Sequence, residues 1–417
     1  MTGLGKGGIL YKVHRVSLIL SNGSVSELLQ SIKRTWLFNV RGDMLAGITA
    51  TLALIPDCIA FAFIAGVDPM VGFYSAICML IILAFFGGRP AMLSSSAGSM
   101  AVLMTALVAR HGVEYLFAAT VLTGVLQWFM GVFKMGRWMK YIPRSVVVGF
   151  INALAILILV AQLRHFHGES WGMYAMVALT LAVIFLWPRL SKAIPSPLIA
   201  VALVTGVAFV VGWNGKTVGD IADIASGFPL FHMPDVPLNA ETLLIIFPYA
   251  FSLALVGFIE TLLTQDIVDE MTDTKTNKDR EMKGQGIANA ATGFFGGMAG
   301  CALIAESAIN VKLGGRGRLS NLTAGVVLLL LVACFGSVLK AIPVAALVGV
   351  MLMVCFEIFD WKFLGQIRSL PILDTVVMLV TVVVSVVTDN LAFGVLAGVG
   401  LFAVSAVNRR RRPLTQR

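Results

Sequence analysis

Charge is what this chain has least of. Only 13% of its 417 residues are Asp, Glu, Lys or Arg, against 58% hydrophobic, and with a mean hydropathy of +0.90 it cannot clothe a soluble surface. Cysteine is also scarce. The five (Cys58, Cys78, Cys301, Cys334, Cys355) lie in apolar stretches with no C-x-x-C spacing, which argues against a zinc site or a disulfide framework and reads them as small packing residues. Residues 1–40 hold only short apolar pieces such as "SLIL", unlike a cleaved signal peptide. The segment "KLGGRGRLS" at 312–320 has glycines and bases but neither a GK[ST] nor a preceding strand, which argues against a nucleotide loop.

What the chain has instead is apolar runs near the roughly 20 residues needed to cross a bilayer. Hydropathy and helix breaks predict spans at 44–66, 69–86, 90–109, 114–134, 142–163, 171–188, 196–212, 242–265, 283–297, 299–313, 319–337, 341–359, 372–388 and 390–408. Of these fourteen, the third, ninth and tenth are weak as complete spans. Before them, "SVSELLQSIKRTWLF" carries a Ser24/Glu27 capping box and helical apolar spacing, suiting a helix on the cytoplasmic interface.

The +9 net charge is mostly a topology signal. With a cytoplasmic N-terminus and fourteen spans, 27 of the 31 bases fall on the cytoplasmic side; only Arg110, Arg164, Lys216 and Lys340 do not. One missed span would invert every later loop, so the asymmetry supports the count. Membrane lipids are the partners that this basic surface, including "RRRRP" near the end, would meet, and not nucleic acid. His165 and His167 in "RHFHGES" read as solvated rather than metal-bound.

The most polar stretch, residues 212–239, divides the chain into seven spans and seven. An odd number per half means the halves insert upside down relative to each other. "FFGGRPAMLSSSAGS" from Phe85 echoes "FFGGMAGCALIAESA" from Phe294, as expected for inverted repeats. Pro90 and Ser94 to Ser96 in one half, and Gly296, Gly297 and Gly300 in the other, interrupt helix before a short apolar segment. These interruptions predict extended backbone leading into half-helices whose N-termini face each other, a means of holding an anion without a full counter-charge. Such backbone is tolerable at that depth only when buried in protein or lining a wet cavity.

At this point the residues resemble the SulP sulfate permease and anion transporter family, which includes prestin. "DMLAGITATLALIPDCIAFAFIAGVDPMVGFYSA" (43–76) is similar to its first-span signature, and "GQGIANAATGFFGG" with "ESAINVKLGGRGRLSNLTAG" to its ninth to eleventh spans. The resemblance implies an all-α polytopic membrane protein of fourteen spans in 7+7 inverted repeats, with core and gate domains and a site between the third and tenth half-helices. Three departures stand out. Glu306 occupies a position where many members have arginine, and Asp57 one where many have Gln. Members commonly carry a cytoplasmic STAS domain, whereas residues 409–417 are only a basic tail, so a form without that domain is expected. The domain reading is then an N-terminal arm (1–40), a first repeat (41–212), an external linker (213–240), a second repeat (241–408) and that tail.

Asp57, Glu260 and Glu306 fall within spans, where a bare charge costs at least about 2.5–3.5 kcal/mol. Protonation, favoured by burial and mutual repulsion, or a bound Na⁺ would offset that cost. The expectation is coupled transport of a small anion by alternating access, with H⁺ or Na⁺ as the coupling ion and no cofactor. Glu260 and Glu306 would couple, a role for Glu260 that the family's eighth-span acid supports. Asp57, Ser95, Ser96, Gly98, Ser99, Ala305, Glu306 and Ser307 would line the substrate site. Three alternatives stay open: a neutral solute such as a nucleobase on the same fold, an intramembrane hydrolase, and a structural membrane element. The expected location is the bacterial inner membrane with both termini cytoplasmic, and a homodimer is a candidate assembly.

Overall fold

A computed structural model describes residues 35–190, 195–221, 228–361 and 371–411; the Ser24/Glu27 interfacial helix and most of the basic tail lie outside them. Among the described residues, fourteen helices of nine residues or more follow in chain order. The first seven are α1 (Val40–Ala65), α2 (Pro69–Phe86), α3 (Gly98–His111), α4 (Val113–Val132), α5 (Arg144–Leu163), α6 (Trp171–Leu190) and α7 (Ser196–Val211). The second seven are α8 (Ala240–Thr272), α9 (Lys278–Phe294), α10 (Ile304–Lys312), α11 (Arg318–Lys340), α12 (Val344–Ile358), α13 (Ile372–Val387) and α14 (Leu391–Arg411). Two three-residue strands, β1 (Ser94–Ser96) and β2 (Gly300–Ala302), precede α3 and α10.

Six helices (α1, α2, α4, α5, α6 and α8) are long and apolar enough to cross a bilayer by length and composition, and five more are apolar but shorter. The remaining three, α3, α9 and α10, are those that hydropathy marks as weak. Their weakness has two causes. In α3 and α10 the helix occupies only 14 and 9 residues, because extended backbone takes up the rest of the crossing. By contrast α9 is helical throughout its 17 residues and begins at Lys278, earlier than predicted, where the Asn277 side chain accepts from the Arg280 N–H at 3.0 Å. The loop before it is correspondingly short, since α8 continues to Thr272.

The helix α9 survives inside the membrane despite its polarity because α4 covers it. At Gly124 and Gly286 the two backbones approach so closely that a Cβ on either would strike the other helix, the small-residue packing that substitutes for a hydrophobic drive in lipid. Across this contact the buried Asn289 amide donates to the side-chain oxygen of the buried Gln127 at 2.8 Å. Around it α1–α4 pack with α8–α11 into a core bundle, while α5–α7 pack with α12–α14 into a gate bundle. Because each half contributes seven helices with its broken helix third, the halves are inverted repeats.

At one end of the core bundle, backbone ends are capped by buried side chains. Arg318 donates to the carbonyls of Ala84 (2.8 Å) and Gly87 (2.6 Å) where α2 stops. Asp43 accepts from the N–H groups of Arg316 (2.7 Å) and Gly317 (2.9 Å), and Glu281 from those of Gly88 (2.6 Å) and Arg89 (2.8 Å). These bonds anchor the segment that runs inward to β1 and the loop that joins α10 to α11.

Candidate transport site

The strands pair antiparallel, Ser94 with Ala302, Ser95 with Cys301 and Ser96 with Gly300. Glycine is required at the last position, since a Cβ on Gly300 would run into the Ser95 carbonyl. Two strands of three residues leave several polar backbone groups without ladder partners, and at this depth each must be satisfied by side chains. The motif "SAIN…RLSN" does so for the first half. Ser307 accepts from the Leu93 N–H (2.9 Å), Asn310 donates to the Ala91 carbonyl (2.9 Å), and Asn321 donates to the Met92 carbonyl (2.7 Å). In the second half Asn289 holds both polar groups of Gly300 (2.8 and 2.9 Å).

The helices α3 and α10 therefore begin side by side from a fixed ladder. Their N-cap residues, Ala97 and Leu303, have extended backbones and give no side-chain cap, so first-turn N–H groups of both helices remain for whatever lies between them. The extended lead into α3 is three residues longer than that into α10, counted from the shared "FFGG": Ser94 is the ninth residue after Phe85, and Gly300 the sixth after Phe294. The sequence echo is thus in register at the glycines and out of register at the strands.

Four carboxylates surround this point. Glu260 of α8 receives two hydrogens on the same oxygen, Oε2, from the Ser99 hydroxyl at 2.6 Å and the Cys301 thiol at 2.7 Å. Asp57, which follows Pro56 within α1, meets the carboxyl of Glu306 in hydrogen-bonding contact. Both are nearly enclosed, 8% and 9% exposed. Glu357 of α12, on the gate bundle, lies close enough to act electrostatically on both. Cys301 interacts with Glu306 as well as with Glu260, so the two acid groups share one neighbourhood.

The structure brings together the expected lining residues in different capacities. Ser95 and Ser96 are buried in β1, their hydroxyls 3.5 Å apart. Gly98 is buried at the start of α3 beside Phe61 and Ile158. Ala305 is exposed next to Ile304 at the start of α10, whereas the buried Ser307 is engaged with Leu93. Two participants escaped the sequence reading. Cys301 reads from sequence as a packing cysteine, although its place directly after Gly300 in the break is a usable signal. Glu357 sits one residue before the end of α12 and looks from sequence like a span-end acid.

Opposed broken helices, a buried acid-lined centre and two inverted seven-helix units define a membrane transporter, not an enzyme. The chain belongs to the sulfate permease family, whose profile matches residues 40–175 and 170–381. Among relatives, YbaR of Bacillus subtilis (strain 168), which carries a sulfate-transporter name, is 55% identical over 374 residues, spanning 90% of this chain and 78% of that protein. The bicarbonate transporter BicA of Picosynechococcus sp. is 30% identical over 89% of this chain and 71% of its own length. The solved transmembrane domain of a cyanobacterial BicA superposes with a TM-score of 0.76 at 26% identity, covering 87% of this chain and 98% of that domain. The overall structure of SLC26A9 gives 0.79 at 18% identity, over 96% of this chain and 70% of that one, a likeness of fold alone.

Proposed function

We propose that this protein is a secondary active transporter of a small anion such as sulfate, bicarbonate or a carboxylate, coupled to H⁺ or Na⁺ and working by alternating access. The observation that carries the reading is the contact between Asp57 and Glu306 beneath two opposed half-helix N-termini. Each N-terminus supplies about +0.5 of a charge, so together they offset roughly one negative charge. A hydrogen bond between two carboxyls needs a hydrogen on one of them, since an ionised carboxylate can only accept. The pair then carries one negative charge and Glu260 another, before any cargo arrives. An incoming anion exceeds what the helix ends offset, so it must bring a proton or a cation with it.

In this reading Ser99 and Cys301 hold Glu260 as the coupling acid, and neither hydrogen goes to its other oxygen, which is left for a proton or a Na⁺. Asp57 and Glu306 tune the charge of the substrate site. Glu357 on the gate bundle adds repulsion that varies as the bundles move. The termini lie in the cytoplasm of a bacterium, the chain sits in the inner membrane, the repeats run over 41–212 and 241–408, and a homodimer is the assembly. The curated names of the relatives support an anion as cargo. The concentration of four carboxyls favours a second reading, a protonatable neutral solute with N–H donors.

Uptake into proteoliposomes of labelled sulfate, bicarbonate or uracil, under imposed pH or Na⁺ gradients, tests these readings. Anion uptake driven by one gradient and lost in Glu260→Gln is the expected result. Gradient-independent uptake, or uracil as the only cargo, would overturn the anion symport reading.

A further inference from the structure

A second place on the molecule is built to receive a small ligand. On the face that carries the α5–α6 turn, a cavity of about 130 Å³ is lined by His165, His167 and Glu169 of that turn and by Trp213 and Lys216 after α7, with Met173 and Val344 as apolar walls. By the orientation proposed above this face is external. The segment after α7 and the one between α11 and α12 both cross between the bundles here, and they are stitched together. Thr217 pairs with Pro343, Val218 N–H donates to the Ile342 carbonyl at 2.8 Å, and Val344 N–H to that of Lys216 at 3.0 Å.

The lining is rich in donors and poor in acceptors. Lys216 gives one ammonium hydrogen to Glu169 at 2.9 Å, and two remain. Two imidazoles add N–H donors in any protonation state. A metal ion does not suit this set. Although His165, His167 and Glu169 are two residues apart in sequence, no three acids, histidines or cysteines converge as cation ligands among the described residues, and Lys216 would repel one.

We infer that this cavity binds a small oxyanion or carboxylate through Lys216 and the two histidines. Glu169 is the resident carboxylate on Lys216 and shows the chemistry the lysine accepts; an external anion of four or five heavy atoms competes with it. Burial and the neighbouring Lys216 hold His165 below the ordinary imidazole range, with Glu169 opposing them. An occupant of negative charge favours the protonated ring, so binding tightens as pH falls. Because the donors come from both the α5–α6 turn and a crossover, occupancy ties the crossover to the gate bundle. His165 is therefore half-buried in a ligand pocket rather than solvated as its sequence context suggests, while His167 is exposed at the rim.

Sodium sulfate titration of the purified full-length protein in detergent, at constant ionic strength and at pH 8 and pH 6, reads the site through tryptophan emission. The expected result is a saturable change that disappears in Trp213→Phe, weakens about tenfold in Lys216→Gln and in His165→Gln/His167→Gln, and is tighter at pH 6. It should persist in Glu260→Gln, which separates this site from the transport centre; the measurement needs no uptake, so failure of symport leaves it standing. Absence of a saturable change at both pH values, or one that Lys216→Gln leaves unaltered, overturns the assignment.

Discussion

Cys301 gives its thiol hydrogen to Glu260 at 2.7 Å while its backbone pairs with Ser95 across the ladder. The carboxylate on α8 is thereby held by the strand that starts one half-helix, and by Ser99 of the other half-helix at 2.6 Å. Removing one hydrogen bond to a charged acceptor costs about 1.5–3 kcal/mol. Cys301→Ala should therefore lower uptake at least about tenfold, and Cys301→Ser, which keeps a donor, should restore most of it. Equal loss in both variants would mean that thiol volume, not the hydrogen, matters.

The ladder itself is tested at Gly300. A methyl there meets the Ser95 carbonyl, and neither backbone can yield without losing the pairing. Gly300→Ala should abolish uptake and destabilise the protein by about 1–3 kcal/mol, seen as a lower unfolding temperature in detergent. A normal unfolding temperature with normal uptake would show that the strands are free to separate.

At the far end of the lead into β1, Glu281 accepts from two backbone N–H groups at 2.6 and 2.8 Å and is 1% exposed. Glu281→Ala leaves both donors without a partner in the interior, at about 1–3 kcal/mol each. The His232–Glu114 pair, 2.8 Å apart but 43% and 32% exposed at the side chains, docks the segment before α8 and should contribute no more than about 1 kcal/mol. Thermal unfolding of Glu281→Ala and His232→Gln should therefore differ clearly, and similar shifts would contradict this ranking.

Much of the fold was legible because its signals are periodic and cumulative. Apolar runs located fourteen spans, and the basic residues Lys134, Arg137, Arg316 and Arg318 share one side only if none is missed. Glycines at 296, 297 and 300 announced the second break. Charges whose partners are backbone groups were not legible: Asp43 and Glu281 look like span-end acids, yet each caps a segment hundreds of residues away. Hydropathy marks α9 only as a weak span, because its polar face is matched to α4 by glycines and by the Gln127–Asn289 bond. The three-residue difference in the leads to β1 and β2 is likewise invisible, because turn length is set by the side chains that satisfy the backbone, and these lie in the opposite half.

The closest test of the coupling argument lies in the Asp57–Glu306 contact. If the two carboxyls share a proton, then Asp57→Asn or Glu306→Gln substitutes an amide N–H for the shared hydrogen and keeps the contact with one permanent donor. Each single variant should retain uptake but flatten its dependence on pH, since the pair no longer gains or loses that proton. In Asp57→Asn/Glu306→Gln the remaining negative charge is gone, anion binding no longer has to overcome it, and uptake should respond less to an imposed gradient. The effects should be non-additive by about 0.5–3 kcal/mol in a double-mutant cycle built from the uptake rates, as for groups in one hydrogen-bonded network. Strict additivity across the cycle, with the wild-type pH profile in both single variants, would place the two acids outside a common proton and return the coupling role to Glu260 alone.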